Sequence, residues 1–192
     1  IAGQKSGDVY ALDPDTGDLV WRAFPGGGGM INWGMSIDDT HVYVPLNSFG
    51  LEPEEPGGPR IRTHGVYALN LENGEIDWTF ATEPYCTDER RAFVPSCERS
   101  YGLNAPTTIV GDHVFAGTLD GRLYALDRRT GEVDWSYDAA RSFETVNGVP
   151  GNGGTFGNNA AIAANGMIIA NSGYGVWGIG PGNVMLGFRP RE

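Results

Sequence analysis

The sequence predicts an all-β protein built from repeated antiparallel sheets, because one hairpin pattern recurs along the chain at a fixed interval. The pattern is a short β-favouring run with Tyr-Ala-Leu at its centre, then a turn containing Gly, then a Trp. It occurs over residues 9–21, 66–78 and 123–135, and each copy begins 57 residues after the one before. Recurrence at one long period indicates units that stack or surround an axis.

Each copy has the chemistry of a hairpin. An Asp or Asn opens the turn, where its side chain can bond the backbone two residues further on. Gly17, Gly74 and Gly131 supply the positive φ that such a turn needs. The Trp that ends each copy is too regular to be a lone site residue. We expect it to pack between adjacent units, with a fixed partner for its indole N–H.

A second type of hairpin precedes the later copies, with turns at residues 38–39, 111–112 and 165–166. Because the two types alternate, one repeat holds four antiparallel strands, which is the make-up of a β-propeller blade. No helical periodicity longer than a turn or two is present.

The predicted organisation is a partial β-propeller over residues 1–192. Residues 1–24 form the last two strands of a blade, 25–80 and 81–137 form complete blades, and 138–192 form an incomplete blade. Such an arc cannot close a ring alone and would expose strand edges. We therefore expect the missing propeller half to come from a second chain or from further polypeptide.

Composition excludes several classes of function. The chain has 192 residues, of which 40% are apolar, enough for a sizeable core. A net charge of −11 disfavours binding to nucleic acid. No run of about 18 apolar residues occurs, so no membrane span is predicted. The chain begins with Ile1 and shows no signal peptide, so processing or truncation is expected.

Two cysteines, Cys86 and Cys97, stand in one segment that has the composition of a loop. They either close that loop as a disulfide or remain two free thiols. A disulfide would indicate an oxidising compartment. They do not form a haem-attachment motif.

The long connections indicate where function lies. They span residues 22–31, 47–63, 81–104 and 138–158. In a four-stranded meander all four lie on one side, because the short hairpin turns occupy the other. Long loops gathered on one face of a rigid scaffold are the usual place for binding and catalysis. The alternative is that they only cover a partner subunit.

The repeat resembles that of pyrroloquinoline quinone (PQQ) proteins, in the pattern Tyr-Ala-Leu-Asp, then Thr-Gly, then Trp. Residues 26–34, which end in Asn-Trp-Gly, are similar to the glycine-rich stretch of quinoprotein alcohol dehydrogenases. Residues 105–107, 115–121, 145–148, 172–175 and 181–184 resemble the C-terminal part of the polyvinyl-alcohol-dehydrogenase-like branch.

This resemblance implies an eight-bladed propeller, of which the chain forms about half, with PQQ and Ca²⁺ near the axis. It implies oxidation of secondary alcohols and transfer of electrons to cytochrome c. It also implies a periplasmic or secreted protein. The protein's share of such chemistry is positioning and electrostatics.

Three residues of the first complete blade match the family's site. Trp33 matches the tryptophan on which the cofactor lies, and Asn32 beside it is assigned to the same cofactor site. The alternative for Trp33 is plain packing. Asn47 matches the metal-ligating asparagine, and an amide oxygen suits Ca²⁺. The alternative for Asn47 is an ordinary turn.

The catalytic acid of the family has no match. Where its Asp would stand the sequence reads Cys-Glu-Arg-Ser-Tyr-Gly over residues 97–102, so Glu98 is the candidate base, with Asp88 or Glu89 as further options. The alternative, which the loop context favours, is that each is a solvated loop charge. Leu119 stands where the family has a cationic residue, and Arg99 is the candidate to replace that residue functionally.

Two further polar residues, Thr145 and Asn147, are candidates for contact with the cofactor, or else simple turn formers. The three histidines are scattered and do not suggest a metal cluster. Two functions follow: a PQQ- and calcium-dependent alcohol dehydrogenase, or a non-catalytic propeller that acts as a protein-interaction scaffold. The missing Asp motivates the second.

Overall fold

The computed structural model describes residues 1–27, 29–47, 64–83, 85–98, 102–159, 161–174 and 180–190. Its regular structure is almost entirely antiparallel β, as the repeat predicts. The described strands fall into four sheets in chain order and one small hairpin. Besides the strands, the described residues include a 3₁₀ turn at Pro25–Gly27 and one turn of helix, α1, at Asp88–Arg91.

The four sheets are meanders of neighbouring strands. The first holds β1 (Ala2–Gly3), β2 (Val9–Leu12) and β3 (Leu19–Ala23). The second holds β4 (Ser36–Ile37), β5 (His41–Leu46), β6 (Gly65–Asn70) and β7 (Ile76–Ala81). The third holds β8 (Thr108–Val110), β9 (His113–Gly117), β10 (Arg122–Asp127) and β11 (Val133–Asp138). The hairpin β12 (Ser142–Phe143) and β13 (Gly151–Asn152) precedes the fourth sheet of β14 (Ile162–Ala164), β15 (Met167–Gly173) and β16 (Asn183–Phe188).

The first sheet contains one strand more than the two predicted for residues 1–24. Ala2 and Gly3 pair antiparallel with Tyr10 and Val9. The turn between them is closed by the Gly7 N–H, which donates to the Gln4 carbonyl at 2.9 Å. A two-residue strand is too short to leave a periodic signal in the sequence.

The three repeated hairpins share one register. Ala11 lies opposite Trp21, Ala68 opposite Trp78, and Ala125 opposite Trp135, and in each hairpin the pairing shifts directly after the Ala. The glycines of the turns have φ of 77°, 75° and 74° at positions 17, 74 and 131. Asp13 Oδ1 accepts from the Asp15 N–H, two residues on, as the turn chemistry predicts.

The tryptophans join one sheet to the next. The Trp21 indole donates to the Leu71 carbonyl at 3.0 Å, and its ring lies over Gly74, where a Cβ would be 2.7 Å from the ring. Trp78 repeats the contact one sheet later on Arg128 and Gly131. Since any side chain at these two glycines would enter the indole, the turn position requires Gly for space as well as for φ. The predicted packing role is therefore confirmed for Trp21 and Trp78, whereas Trp135 is 37% exposed.

Apolar side chains fill the spaces between successive sheets rather than one central core. One cluster lies between the first and second sheets, a second between the second and third, and a third between the third and fourth. Among the described residues, no strand of the first sheet pairs with a strand of the fourth. Closure into an eight-bladed ring stays a prediction, as do the exact blade boundaries.

A partly buried carboxylate joins the second and third sheets at the side of the short hairpin turns. Asp38 Oδ2 accepts from the Tyr43 hydroxyl at 2.7 Å and from Arg128 Nη1 at 3.2 Å. Burial opposes ionisation of Asp38, but hydrogen bonds from the Thr40 N–H and the Tyr43 hydroxyl outweigh it and hold the Asp38 pKa well below its ordinary value. Burial and the same hydrogen bond raise the pKa of Tyr43.

The tryptophan contact predicts a position-dependent loss of stability. Trp78 is 8% exposed, so Trp78→Ala should cost about 3–5 kcal/mol of unfolding free energy through lost burial and a cavity. The matched control is Trp135→Ala, which removes the same side chain from the same repeat position at 37% exposure and should cost clearly less. Urea unfolding measures the unfolding free energy of both variants. Equal losses would contradict the role of Trp78 in joining one sheet to the next.

The Asp38 carboxylate predicts an acid-sensitive contribution to stability. Its folded pKa is depressed, so the contribution is present above the ordinary value of 3.8 and is lost as the pH falls toward the folded pKa. Asp38→Asn should therefore lower stability at neutral pH by about 1.5–3 kcal/mol and flatten its dependence on acid pH. The control is Asp39→Asn, at an exposed neighbour. Unfolding curves at several pH values measure this dependence. If both variants kept the wild-type dependence of unfolding free energy on pH, the contribution would not come from Asp38.

Candidate functional site

The described ends of the long connections meet one another through backbone hydrogen bonds. Met30 and Asn47 bond in both directions, with N···O distances of 3.1 and 3.4 Å. Leu103 N–H donates to the Leu46 carbonyl at 2.9 Å, and Leu119 N–H to the Gly102 carbonyl at 2.9 Å. These contacts link the segment that precedes the second sheet, the end of β5 and the segment that precedes the third sheet.

These backbone hydrogen bonds, which we call the belt, continue to the fourth sheet. The Phe156 N–H donates to the Thr118 carbonyl at 3.1 Å, and the Gly173 N–H donates to the Thr155 carbonyl at 2.7 Å. Thr118 follows β9 and Gly173 ends β15, so equivalent strand ends of the second, third and fourth sheets are joined in turn. The long connections therefore share one side of the molecule in the described regions.

Gly102 permits a close backbone approach in this belt. Its φ is +84°, and a Cβ there would run into the Leu46 carbonyl and the Asn47 backbone. No other residue could hold that conformation at that distance without moving β5. The left-handed backbone here brings the third sheet's approach against the end of β5.

Three asparagine side chains lie within this belt. Asn104 Oδ1 accepts from Asn32 Nδ2 and, at 3.0 Å, from Asn47 Nδ2, while Asn104 Nδ2 donates to the Gly157 carbonyl. Asn47 Nδ2 also lies 3.2 Å from the Met30 carbonyl and 3.3 Å from that of Leu103. Asn47 and Asn104 are 0% and 3% exposed. We call these three residues the asparagine cluster.

Asn32 and Asn104 occupy equivalent places in successive repeats, five residues before Ile37 and Ile109 respectively. Those two isoleucines pair with Val42 and Val114 in equivalent hairpins. The amides thus run head to tail, from the second sheet's approach to the third's and on to Gly157. This spacing is the signal by which Asn104, absent from the predicted site, could have been found.

Trp33 adjoins the asparagine cluster in the chain and is 53% exposed. It differs in this from Trp21 and Trp78, which are buried between sheets. Asn32 Oδ1 is buried and has no hydrogen-bond partner among the described residues. The predicted cofactor residue Asn32 and the predicted metal ligand Asn47 are therefore brought together through Asn104, and the predicted cofactor residue Trp33 is the next residue of the chain after Asn32. What they bind stays a prediction.

Glu98 lies in a different set of contacts. Its Oε1 accepts from Arg91 Nε at 3.1 Å, and its side chain is 61% exposed. Arg91 also pairs with Asp88, and the hydrogen bond and charge of Glu98 raise the pKa of Arg91. The predicted base is thus held in a solvent-facing ion pair. Arg99, proposed as a replacement cation, lies outside the described residues.

The segment that carries Glu98 is closed by a disulfide between Cys86 and Cys97, which decides between the two alternatives for the cysteines. Arg90 anchors this loop: it is 6% exposed and donates to the Asp120 carbonyl and to the Asp138 carboxylate. Its guanidinium carbon lies 4.6 Å from the centre of the Tyr85 ring. Sequence reasoning missed Arg90, because it stands in an ordinary run of charged residues.

Thr145 and Asn147 lie in the exposed turn of the hairpin β12–β13. Thr145 Oγ1 donates to Asn147 Oδ1 and to the Val149 carbonyl, and Asn147 Oδ1 accepts from the Val149 N–H at 3.2 Å. These bonds close the turn locally. The structure does not join them to the asparagine cluster through any described hydrogen bond.

The described residues offer fewer ligand atoms for a metal ion than contacts for a flat ligand. Among the described residues no group of three or more His, Cys, Asp or Glu side chains gathers. The amide nitrogen of Asn47 faces protein oxygens, so only its Oδ1 could serve as a ligand. Within the described parts of the chain there is also no helix long and apolar enough to cross a bilayer.

The chain is similar to quinoproteins in sequence and in fold. It is 34% identical over 180 residues to a polyvinylalcohol dehydrogenase of Pseudomonas sp, a match that covers 91% of this chain and 26% of the relative. The chain thus spans about a quarter of that relative's length.

Two solved structures share the propeller fold. BamB from Moraxella catarrhalis superposes with a TM-score of 0.58 at 20% identity, over 88% of this chain and 42% of that one. Quinohemoprotein alcohol dehydrogenase from Comamonas testosteroni superposes with a TM-score of 0.56 at 17% identity, over 89% and 27%. Residues 5–148 match the PQQ-repeat family model described as outer membrane protein assembly factor BamB. Because that match covers well over half of the sequence, the chain belongs to this PQQ-repeat family.

Proposed function

We propose that the chain is part of a PQQ-dependent alcohol dehydrogenase and that the cofactor lies against Trp33. The observation that carries the proposal is the half-exposed indole of Trp33 beside the buried asparagine cluster, on the side where the long connections meet. The likeness to a polyvinylalcohol dehydrogenase supports it and favours secondary alcohols, including polymeric ones, as substrates.

The residues present fit a flat, polar-edged cofactor. An indole face of this exposure offers a stacking surface for a fused-ring quinone. The unpartnered Asn32 Oδ1 offers an acceptor for a ligand N–H, and its burial strengthens that hydrogen bond. PQQ, when bound, supplies a quinone that accepts a hydride from the alcohol carbon.

The chain's own residues would hold the ligand in a fixed orientation. The belt of backbone hydrogen bonds holds the segment that carries Trp33 against the end of β5, and Asn104 fixes the amide of Asn32 through its Oδ1. A ligand on the indole therefore meets a surface whose geometry does not have to be ordered on binding, which lowers the cost of orienting it.

The calcium prediction does not fit the described residues as they stand. Hard cations take six or more oxygen ligands, usually with carboxylates among them. The asparagine cluster offers neutral amide oxygens, and most of its polar atoms are already bonded to protein. A calcium ion would need further ligands from outside the described residues.

The candidate catalytic base, Glu98, is held in an ion pair. Glu98 would have to leave its ion pair with Arg91 before it could accept a proton. This pairing favours a second candidate function, a non-catalytic propeller that binds other proteins, as does the family description. Transfer of electrons to a cytochrome c belongs only to the dehydrogenase proposal.

The same proposal includes the assembly and its location. The chain spans 26% of the polyvinylalcohol dehydrogenase, and we propose that further blades complete an eight-bladed ring. The Cys86–Cys97 disulfide supports a periplasmic or secreted protein, since disulfides persist in oxidising compartments.

Binding of PQQ tests the dehydrogenase proposal directly. The chain should bind PQQ saturably, with a shift in quinone absorbance, and Trp33→Ala should weaken binding about tenfold through loss of stacking. Trp135→Ala is the matched control, because it removes an equally large and partly exposed indole from between the third and fourth sheets. Absence of binding, or equal binding by both variants, would favour the interaction scaffold.

The asparagine cluster makes a separate prediction. Asn104→Ala removes the acceptor shared by Asn32 and Asn47, so it should cost about 1–3 kcal/mol of unfolding free energy and also weaken PQQ binding. Asn73→Ala, which removes only hydrogen bonds within an exposed turn, is the control; it should leave PQQ binding unchanged and lower stability less than Asn104→Ala. Calorimetry measures the loss of stability, and the PQQ titration measures binding. Normal PQQ affinity in a destabilised Asn104→Ala variant would show that the asparagine cluster does not contribute to PQQ binding.

A further inference from the structure

The sequence contains four Asn-Gly dipeptides, and the structure describes all of them, at residues 73–74, 147–148, 152–153 and 165–166. In such a dipeptide the glycine nitrogen can attack the carbonyl carbon of the asparagine side chain, because glycine has no side chain that obstructs the approach. The attack requires an amide side chain that is free to rotate and a glycine N–H that is open to water. Hydrogen bonds to either group therefore oppose the reaction, because they must be broken first.

In the first three dipeptides the glycine N–H is held by the protein. Each of these N–H groups donates to a main-chain carbonyl, in the pairs Gly74 to Asn70 at 2.9 Å, Gly148 to Thr145 at 3.0 Å and Gly153 to Arg141 at 2.8 Å. The nitrogen that would attack is thus already engaged in all three.

The asparagine side chains of the same three dipeptides are held as well. Each Oδ1 accepts a hydrogen bond, that of Asn73 from the Glu75 N–H at 2.9 Å, that of Asn147 from the Val149 N–H at 3.2 Å and that of Asn152 from the Ser142 hydroxyl at 2.8 Å. Both groups that would have to move together are therefore fixed by separate hydrogen bonds.

The fourth dipeptide, Asn165–Gly166, connects β14 to β15 and differs in both respects. Its residues have φ of 50° and 71°, as in the two-residue turns of tight hairpins. Both residues are exposed, and no described heavy atom lies within 4 Å of the place where a Cβ of Gly166 would stand. Among the described residues, neither the Asn165 side chain nor the Gly166 N–H has a hydrogen-bond partner.

We propose that Asn165 is the site at which the folded chain deamidates and forms isoaspartate. The Gly166 nitrogen bonds to Asn165 Cγ, the Cγ–Nδ2 bond breaks, and ammonia leaves with the proton of the Gly166 N–H. Water then opens the succinimide ring. Opening at the side-chain carbonyl gives an aspartyl residue, and opening at the main-chain carbonyl gives an isoaspartyl residue. The quinone takes no part in this chemistry, so the PQQ proposal is tested separately.

An isoaspartyl residue at position 165 would alter the hairpin itself. The main chain then passes through Cβ and Cγ, so the connection between β14 and β15 gains one backbone atom. The length of a hairpin connection fixes the register of its strands, which here places Ala164 opposite Met167. We therefore expect the isoaspartyl product to loosen the β14–β15 pairing. The aspartyl product should not, because Asp-Gly suits the same turn as Asn-Gly.

Peptide mapping of the aged chain tests the proposal. The 192-residue chain is incubated in mildly alkaline buffer, and mass spectrometry of its proteolytic peptides measures the conversion of each amide to an acid. Asn165 should react about tenfold faster than Asn73, Asn147 or Asn152, since each of those must first lose a hydrogen bond. Conversion of Asn165 no faster than that of the other three would overturn the proposal.

The same incubation in guanidinium chloride is the control for local sequence. Once the fold is lost, the four dipeptides should react at similar rates, because each has the same Asn-Gly chemistry. If Asn165 kept its advantage in the unfolded chain, the selectivity would come from its sequence neighbours, and the structural explanation would be wrong.

Two variants separate the products. Asn165→Gly removes the reacting amide and keeps a dipeptide that suits the turn, so aged protein should no longer accept methyl groups from an isoaspartate-specific carboxyl methyltransferase. Methylation that persists in this variant would place the isoaspartate elsewhere and overturn the proposal. Freshly prepared Asn165→Asp carries the new charge without the longer main chain. Its amide hydrogens in β14 and β15 should exchange at the wild-type rate, whereas those of the aged wild-type chain should exchange faster.

Discussion

The whole structure depends on the contact between an indole and a glycine of the next sheet. A four-stranded sheet has two faces, and a hydrophobic face is stable only when another element covers it. Here each sheet covers the next, and Trp21 and Trp78 each combine a buried ring with a fixed hydrogen bond across the boundary. Because Gly74 and Gly131 have no side chain, the rings can reach the backbone itself. The spacing of the sheets follows from that distance.

The position of the site follows from the same packing. Once the sheets are fixed in order, the ends of β5, β9 and β15 are brought side by side, and the segments that approach each sheet can bond to them. The asparagine cluster forms in this belt, because Asn47 and Asn104 are buried where two such segments meet. Trp33 is held on this belt rather than between sheets, and its exposed ring is therefore available to a ligand or a partner.

Sequence reasoning predicted what is local or periodic. The hairpins, their turns and the role of the Trp series depend on contacts within one repeat or on positions that recur, and both kinds of information are visible in the sequence. Asn104 was missed because the loops before it differ in length from those before Asn32, which hides the equivalence when repeats are aligned on their tyrosines. Arg90 was missed because its burial depends on Asp120 and Asp138, in other parts of the chain.

The framework and the chemistry place different demands on this chain. The glycines, tryptophans and buried leucines recur in register because the first two sheet boundaries impose the same packing, whether or not the protein is catalytic. Trp33, the unpartnered oxygen of Asn32 and the ion-paired Glu98 each occur once, so no packing requirement explains all three. A non-catalytic scaffold needs only the recurring glycines, tryptophans and buried leucines. The indole and the free amide oxygen together are what a flat ligand requires, and they favour the cofactor site over the scaffold even where the base is held by Arg91.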